Sequence, residues 1–315
     1  MARKPYSLWV DYLEREFIAN SLEGYIVRGV KGITTNPAIF HAAFTKSKAY
    51  ETQKTEARRR GLKAKLLYEE LAISDVQLAA DKLQNIYDGT NGFVSIEVDP
   101  TFAHDAIATI EEAKRLCKLI DRENVMIKVP ATEAGVIAIK ELVKLGFAIN
   151  ATLVFSLDQT RRVLRAVSGA TNAVVISVFV SRFDREIDGK LPPKLRYKTG
   201  IMNAFLHYHK VEEANNPFVR TLFASTGVKG GDLEADYYLS NLALENAVNT
   251  APLTALDLFL QRPTEAVKLP SVAECEEFFA VIKEHEIDYD KLCKKLLDDA
   301  LAQFTQAFAD ILHTI

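Results

Sequence analysis

Eight short apolar runs punctuate this chain, and longer stretches of helical periodicity separate them. The runs are SLWVD (7–11), GITTN (32–36), GFVSIEVD (92–99), VMIKVP (125–130), AINATLVF (148–155), AVVISVFV (173–180), VRTLFAST (219–226) and ENAVNTA (245–251). Most lack clear apolar/polar alternation, which is how parallel strands covered by helices read. Strands alternating with helices predict an α/β architecture. Eight strands are the number that closes a (β/α)8 TIM barrel. A doubly wound sheet stays open as an alternative, because strand order is invisible in a sequence.

The helical segments carry their own signals. In 105–120, Ile107, Ile110, Ala113, Leu116, Cys117 and Ile120 fall near one face. The segment 135–146 ends in Gly146, a left-handed cap. Ser156 followed by Gln159 is a capping box for 156–167. A helix is expected over 232–248. Residues 37–91 hold additional helices between strands two and three, and about 263–315 reads as a helical C-terminal extension. A length of 315 residues suits one barrel with additions, so the chain is expected to form a single domain over 1–315.

Composition narrows the partners. The chain is 48% hydrophobic and 26% charged, with net charge −3, which disfavours disorder and a dominant nucleic-acid surface. Cys117, Cys275 and Cys293 are widely spaced and form no CxxC pair, so neither a disulfide framework nor a thiolate metal site is expected. No apolar run spans a membrane, and the opening MARKPYSLWV lacks the apolar stretch of a secretory signal. A cytoplasmic protein is expected. There is no GxGxxG, GxxxxGK, HExxH or GxSxG. His207 and His209, two apart, face different ways on a helix and receive no metal role. Neither metal nor organic cofactor is expected. The basic run 58–65 reads as a solvated helix end and turn.

Polar residues in the strands point to chemistry. Successive strand residues face opposite sides. Val94, Ile96 and Val98 oppose Ser95, Glu97 and Asp99; Val125, Ile127 and Val129 oppose Met126 and Lys128. Asn150 and Thr152 share a face, as do Ser177 and Phe179, and as do Thr221, Phe223 and Ser225. With helices outside, the polar sets are expected to point into the barrel near its carboxyl rim, where active sites sit. An enclosed lysine loses hydration of its ammonium form, and the neutral amine attacks carbonyls to form a Schiff base. Lys128 fits that chemistry with Glu97 as acid/base, or else the two are a buried ion pair. Asp11 is either a site carboxylate at the same rim or a helix N-cap. Arg182 and Lys229, with the small-residue loop 224–232, are phosphate candidates. The alternatives are a surface arginine paired with Asp184 or Glu186, and an ordinary turn.

These segments together resemble the transaldolase family. GITTNPAIF (32–40) resembles its Thr-Thr-Asn-Pro signature, VSIEVDP (94–100) its glutamate motif, and VMIKVPATEAG (125–135) the segment with the Schiff-base lysine. INATLVFS (149–156), ISVFVSRFD (176–184) and LFASTGVK (222–229) continue the likeness in order. The resemblance implies a class I aldolase barrel that moves a dihydroxyacetone unit between sugar phosphates in the non-oxidative pentose phosphate pathway. By position it implies Lys128 as imine former, Asp11 as the base at the C4 hydroxyl, and Glu97 acting through a water with Thr152. It implies Asn36, Asn150 and Ser177 on the dihydroxyacetone portion, with Phe179 beside it, and Arg182 and Ser225 on phosphate. Gly227 stands where many members have an arginine, so Lys229 is expected to supply that charge. Glutamate at 97 and phenylalanine at 179 favour transfer over the simple cleavage of a fructose-6-phosphate aldolase, where glutamine and tyrosine are expected. A silent sugar-phosphate-binding barrel would not need Asp11, Glu97 and Lys128 together. A monomer or homodimer is expected.

Overall fold

The computed structural model describes residues 6–262 and 266–315. Residues 1–5, within the basic opening, and 263–265, where the C-terminal extension was expected to begin, lie outside the described residues.

The strands are β1 (Ser7–Val10), β2 (Val30–Thr34), β3 (Phe93–Glu97), β4 (Val125–Pro130), β5 (Ile149–Val154), β6 (Val174–Phe179), β7 (Val219–Ala224) and β8 (Val248–Ala251). Each pairs in parallel with the next, and β8 closes on β1, so the doubly wound alternative is excluded. Helices Pro37–Lys46, Glu51–Arg59 and Ala64–Leu83 fill the interval between β2 and β3. Helices Val272–Glu284 and Tyr289–Thr314 end the chain.

The outward strand faces carry the apolar sets expected for them. Val94, Ile96, Val125, Ile127, Val129, Ile149, Ala151, Val174 and Ile176 pack in one cluster with helix residues such as Leu116, Ile139 and Leu142. Each fully buried Val, Leu or Ile side chain among them contributes roughly 1.5–3 kcal/mol. Both expected caps form. Ser156 and Gln159 make the capping box, and Gly146 has φ +81°. On the helix Ala106–Ile120, Leu116 and Ile120 are buried, but Ile107 is 76% exposed. At about 100° per residue it points away from the buried face, which is formed by Thr109, Glu112, Ala113, Leu116 and Ile120, so it does not belong to the stripe expected for it.

The floor of the barrel is packed. Trp9, Phe93, Met126, Val175, Leu222 and Val248 are all nearly inaccessible and share one cluster. Gly32 makes room for the indole: a Cβ there would lie 2.6 Å from the Trp9 ring. Arg220 also enters from β7. It donates to Ser7 Oγ at 2.7 Å, to the Asn246 carbonyl at 2.9 Å and to the Ala247 carbonyl at 3.0 Å. Burial pulls its pKa down to about 10, and these acceptors offset part of the cost of an enclosed charge.

Two expectations fail on β7 and beyond. Leu222 and Ala224 line the interior, whereas Phe223 packs outward with Val180, Ala204 and Tyr208. Ser225 nevertheless reaches the interior, because its left-handed φ of +55° breaks the alternation after the strand. The helix expected over 232–248 shrinks to Tyr237–Asn241, and β8 begins at Val248.

Candidate active site

The centre of the site is a matter of strand register. Glu97 of β3 lies opposite Lys128 of β4, and Lys128 lies opposite Asn150 of β5. Three neighbouring strands therefore present a carboxylate, an amine and an amide abreast. The Lys128 side chain is nearly inaccessible at 6% exposure, so it neither lies on an open sheet edge nor extends its amine to solvent. Its Nζ donates to the Thr35 carbonyl at 3.0 Å and stands 3.6 Å from Glu97 Oε2.

Glu97 is held less completely. Neither carboxylate oxygen has a hydrogen-bond partner among the described residues, and the same is true of the Thr152 hydroxyl on β5. A buried pair retained for stability alone satisfies its remaining lone pairs. Burial raises the Glu97 pKa to about 7, while the Lys128 charge pulls in the opposite direction. A carboxyl balanced near neutrality can both give and take a proton.

Around the amine, β5 and β6 build a chain of polar side chains. Ser177 Oγ donates to Asn150 Oδ1 at 2.6 Å, and Asn150 Nδ2 donates to Ser95 Oγ at 3.0 Å. Across the barrel, Thr34 Oγ1 donates to Asp11 Oδ1 at 2.7 Å and lies 2.5 Å from Thr250 Oγ1. Asp11 is not the helix cap: Glu14 fills that role, accepting from the Phe17 N–H at 3.0 Å. Burial raises the Asp11 pKa, opposed by the Lys128 charge and the Thr34 hydrogen bond. Asn36 caps the helix Pro37–Lys46 through its side-chain oxygen, which leaves its amide N–H groups to face the cavity.

Asp11, Asn36, Lys128, Asn150, Ser177, Phe179, Arg182 and Ser225 all line one cavity at the carboxyl rim. Arg182 does not pair with the acids expected to hold it. Asp184 accepts from the Gly200 N–H and the Tyr238 hydroxyl, and Glu186 pairs with Lys295 at 3.0 Å. The Arg182 guanidinium lies against the Phe179 ring at 5.4 Å, and its buried Nε has no partner among the described residues. Burial and Arg185 lower its pKa to about 10. Among the described residues it makes no salt bridge, with Asp299 only a more distant opposing charge, so a cation stands at the mouth of a cavity, suited to an oxyanion. Ser225 lies beside Ser181, their hydroxyl oxygens 3.2 Å apart. Lys229 is exposed in the following loop and is not among the cavity-lining residues.

A second, smaller cavity of about 20 Å³ lies behind the pair, lined by Glu97, Tyr68, Asp99, Lys65 and Phe308 among others. The 58–65 run is therefore not wholly solvated: Lys65 pairs with Asp99 at 2.7 Å and Glu112 at 3.0 Å. Sequence reasoning missed Thr34, Thr250 and Phe304, which also line the main cavity. Thr34 stood inside the quoted signature. Phe304 carried no signal, since its helix reads as an apolar stripe like any other. His207 is buried with its ring near Thr160 and the Phe155 carbonyl, which accounts for it without a metal.

The family model for Transaldolase/Fructose-6-phosphate aldolase matches residues 8–315. A transaldolase of Helicobacter pylori (strain HPAG1) is 42% identical over 314 aligned residues, covering 98% of this chain and 99% of its own. A transaldolase of Campylobacter jejuni subsp. jejuni serotype O:23/36 (strain 81-176) is 42% identical over 330 aligned positions, covering 99% of this chain and 100% of its own.

Proposed function

The chain belongs to the transaldolase/fructose-6-phosphate aldolase family, and from that premise we propose that it is a transaldolase working through an imine on Lys128. The observation that supports this most is the row of Glu97, Lys128 and Asn150 on adjacent strands, with Nζ enclosed and 3.6 Å from the carboxylate.

The donor is a ketose phosphate such as sedoheptulose 7-phosphate or fructose 6-phosphate. The Lys128 amine adds to its C2 carbonyl, and the resulting carbinolamine loses water to give a protonated imine. Glu97, with a pKa of about 7, moves the protons of these steps through a water that Thr152 helps to hold. Asp11, on the opposite wall, takes the proton of the C4 hydroxyl as the C3–C4 bond breaks. The electron pair of that bond is accepted by the iminium. The aldehyde leaves, and the acceptor (glyceraldehyde 3-phosphate or erythrose 4-phosphate) enters; the steps reverse, with Asp11 returning its proton. Asn36, Asn150 and Ser177 hold the dihydroxyacetone hydroxyls beside Phe179. Arg182 and Ser225 bind phosphate, and Lys229, exposed in the loop after β7, adds positive charge from outside the cavity lining. No cofactor takes part. The reading makes this a cytoplasmic, single-domain enzyme of the non-oxidative pentose phosphate pathway, acting as a monomer or homodimer.

Two measurements test it. Borohydride with fructose 6-phosphate should leave a covalent adduct on Lys128, mapped by mass spectrometry and absent from Lys128→Met. Turnover of fructose 6-phosphate should require erythrose 4-phosphate. Rapid release of dihydroxyacetone without an acceptor would mean simple cleavage instead, and sugar-phosphate binding with no adduct would mean a silent barrel.

A further inference from the structure

One wall of the cavity comes from outside the barrel. Phe304, on the C-terminal helix Tyr289–Thr314, lines it beside Lys128, with its ring centroid 5.6 Å from Nζ. An aromatic face attracts a cation at that separation, and does so more strongly where water is excluded. The Phe304 residue is only 7% exposed. One turn further along, Phe308 packs edge-on against Tyr68 at 5.2 Å and lines the rear cavity. A single helix face therefore closes both sides of the Lys128–Glu97 pair, and Ala300 and Leu301, also buried, fix its seat.

We propose that the Phe304 ring is the electrostatic counterpart of the cationic nitrogen formed when Lys128 condenses with the ketose, an inference that rests on the imine reading above. In the resting chain the ammonium has competing partners, the Thr35 carbonyl and Glu97. Condensation changes this. A protonated amine plus a ketone gives a protonated imine plus one water, so two of the three N–H bonds leave with the oxygen. The iminium keeps one N–H, is planar, and spreads its charge onto C2. Its hydrogen bonding falls while a flat cation lies beside a flat π face. Freed of those partners and lying flat on the ring, the iminium is attracted to it more strongly than the ammonium is, and an interaction that strengthens along the reaction is the condition for accelerating it.

The test replaces Phe304 with 4-fluoro-, 3,5-difluoro- and 3,4,5-trifluorophenylalanine, which drain the π face with little change of size. The rate of forming the borohydride-trapped adduct at saturating fructose 6-phosphate should fall stepwise, with its logarithm linear in fluorine number. The loss across the series should be about tenfold. Phe304→Leu should fall at least as far, and KM should change less than twofold in the fluorinated series. A flat rate across the series, with wild type still forming the Lys128 adduct, overturns the role of the ring and leaves the imine reading standing. Absence of the adduct from wild type removes the imine reading, and this proposal with it.

Discussion

Glu97→Gln offers a quantitative check on the site, because the carboxyl has been moved far from its ordinary range by the fold itself. Its pKa rises from 4.5 to about 7, chiefly through burial. The native state therefore holds the Glu97 proton between those two values while the unfolded chain has already released it. Stability from this group is greatest below about pH 4.5 and is lost as the pH rises towards 7. At 1.36 kcal/mol per unit, the gap amounts to about 3 kcal/mol. Glutamine titrates nothing in that window. The difference in unfolding free energy, variant minus wild type, should therefore shift in the variant's favour by about 3 kcal/mol between pH 4 and 8. Losing the ion pair with Lys128 adds an offset but little slope. Urea unfolding followed by tryptophan fluorescence reads this directly, since Trp9 is the one tryptophan and sits inside the barrel. Parallel stability curves for the two proteins across that range would refute the claim that burial controls Glu97.

Two further outcomes follow from other walls of the barrel. Arg182→Gln should raise KM for fructose 6-phosphate by about 10- to 100-fold, the worth of a charge-assisted hydrogen bond, and leave KM for unphosphorylated fructose nearly unchanged; an equal loss with both donors would show that Arg182 does not read phosphate. Gly32→Ala should lower stability by about 1–3 kcal/mol through overpacking, because the new Cβ would lie 2.6 Å from the buried Trp9 ring. An unchanged urea midpoint would contradict that account of the floor.

Much of the barrel was legible because its outer surface is written in local pattern. The β-branched faces of β3, β4 and β6 must meet helices, and period two then sends Glu97, Lys128 and Ser177 inward. Asp11 was ambiguous for a physical reason: a cap and a site carboxylate both belong at the end of a strand. Only the Thr34 hydrogen bond and the Glu14 cap separate the two. On β7 the same period-two rule misled, because Ser225 adopts a left-handed conformation that no composition signals for a serine. Phe304 was beyond reach altogether. It lies 176 positions from Lys128 in the chain, and its placement depends on how the final helix docks.

The sealed floor carries a last consequence. Among the described residues, Trp9, Phe93, Met126 and Arg220 fill the amino end, so the interior is blocked there and the cavity faces the carboxyl rim. On the proposed chemistry, the released aldehyde must go out through the opening by which the acceptor comes in. Because the two share that passage, the proposed chemistry runs as a two-stroke order: the first product departs before the second substrate arrives. The shape of the barrel's closed end thus sets the sequence of events at its open one.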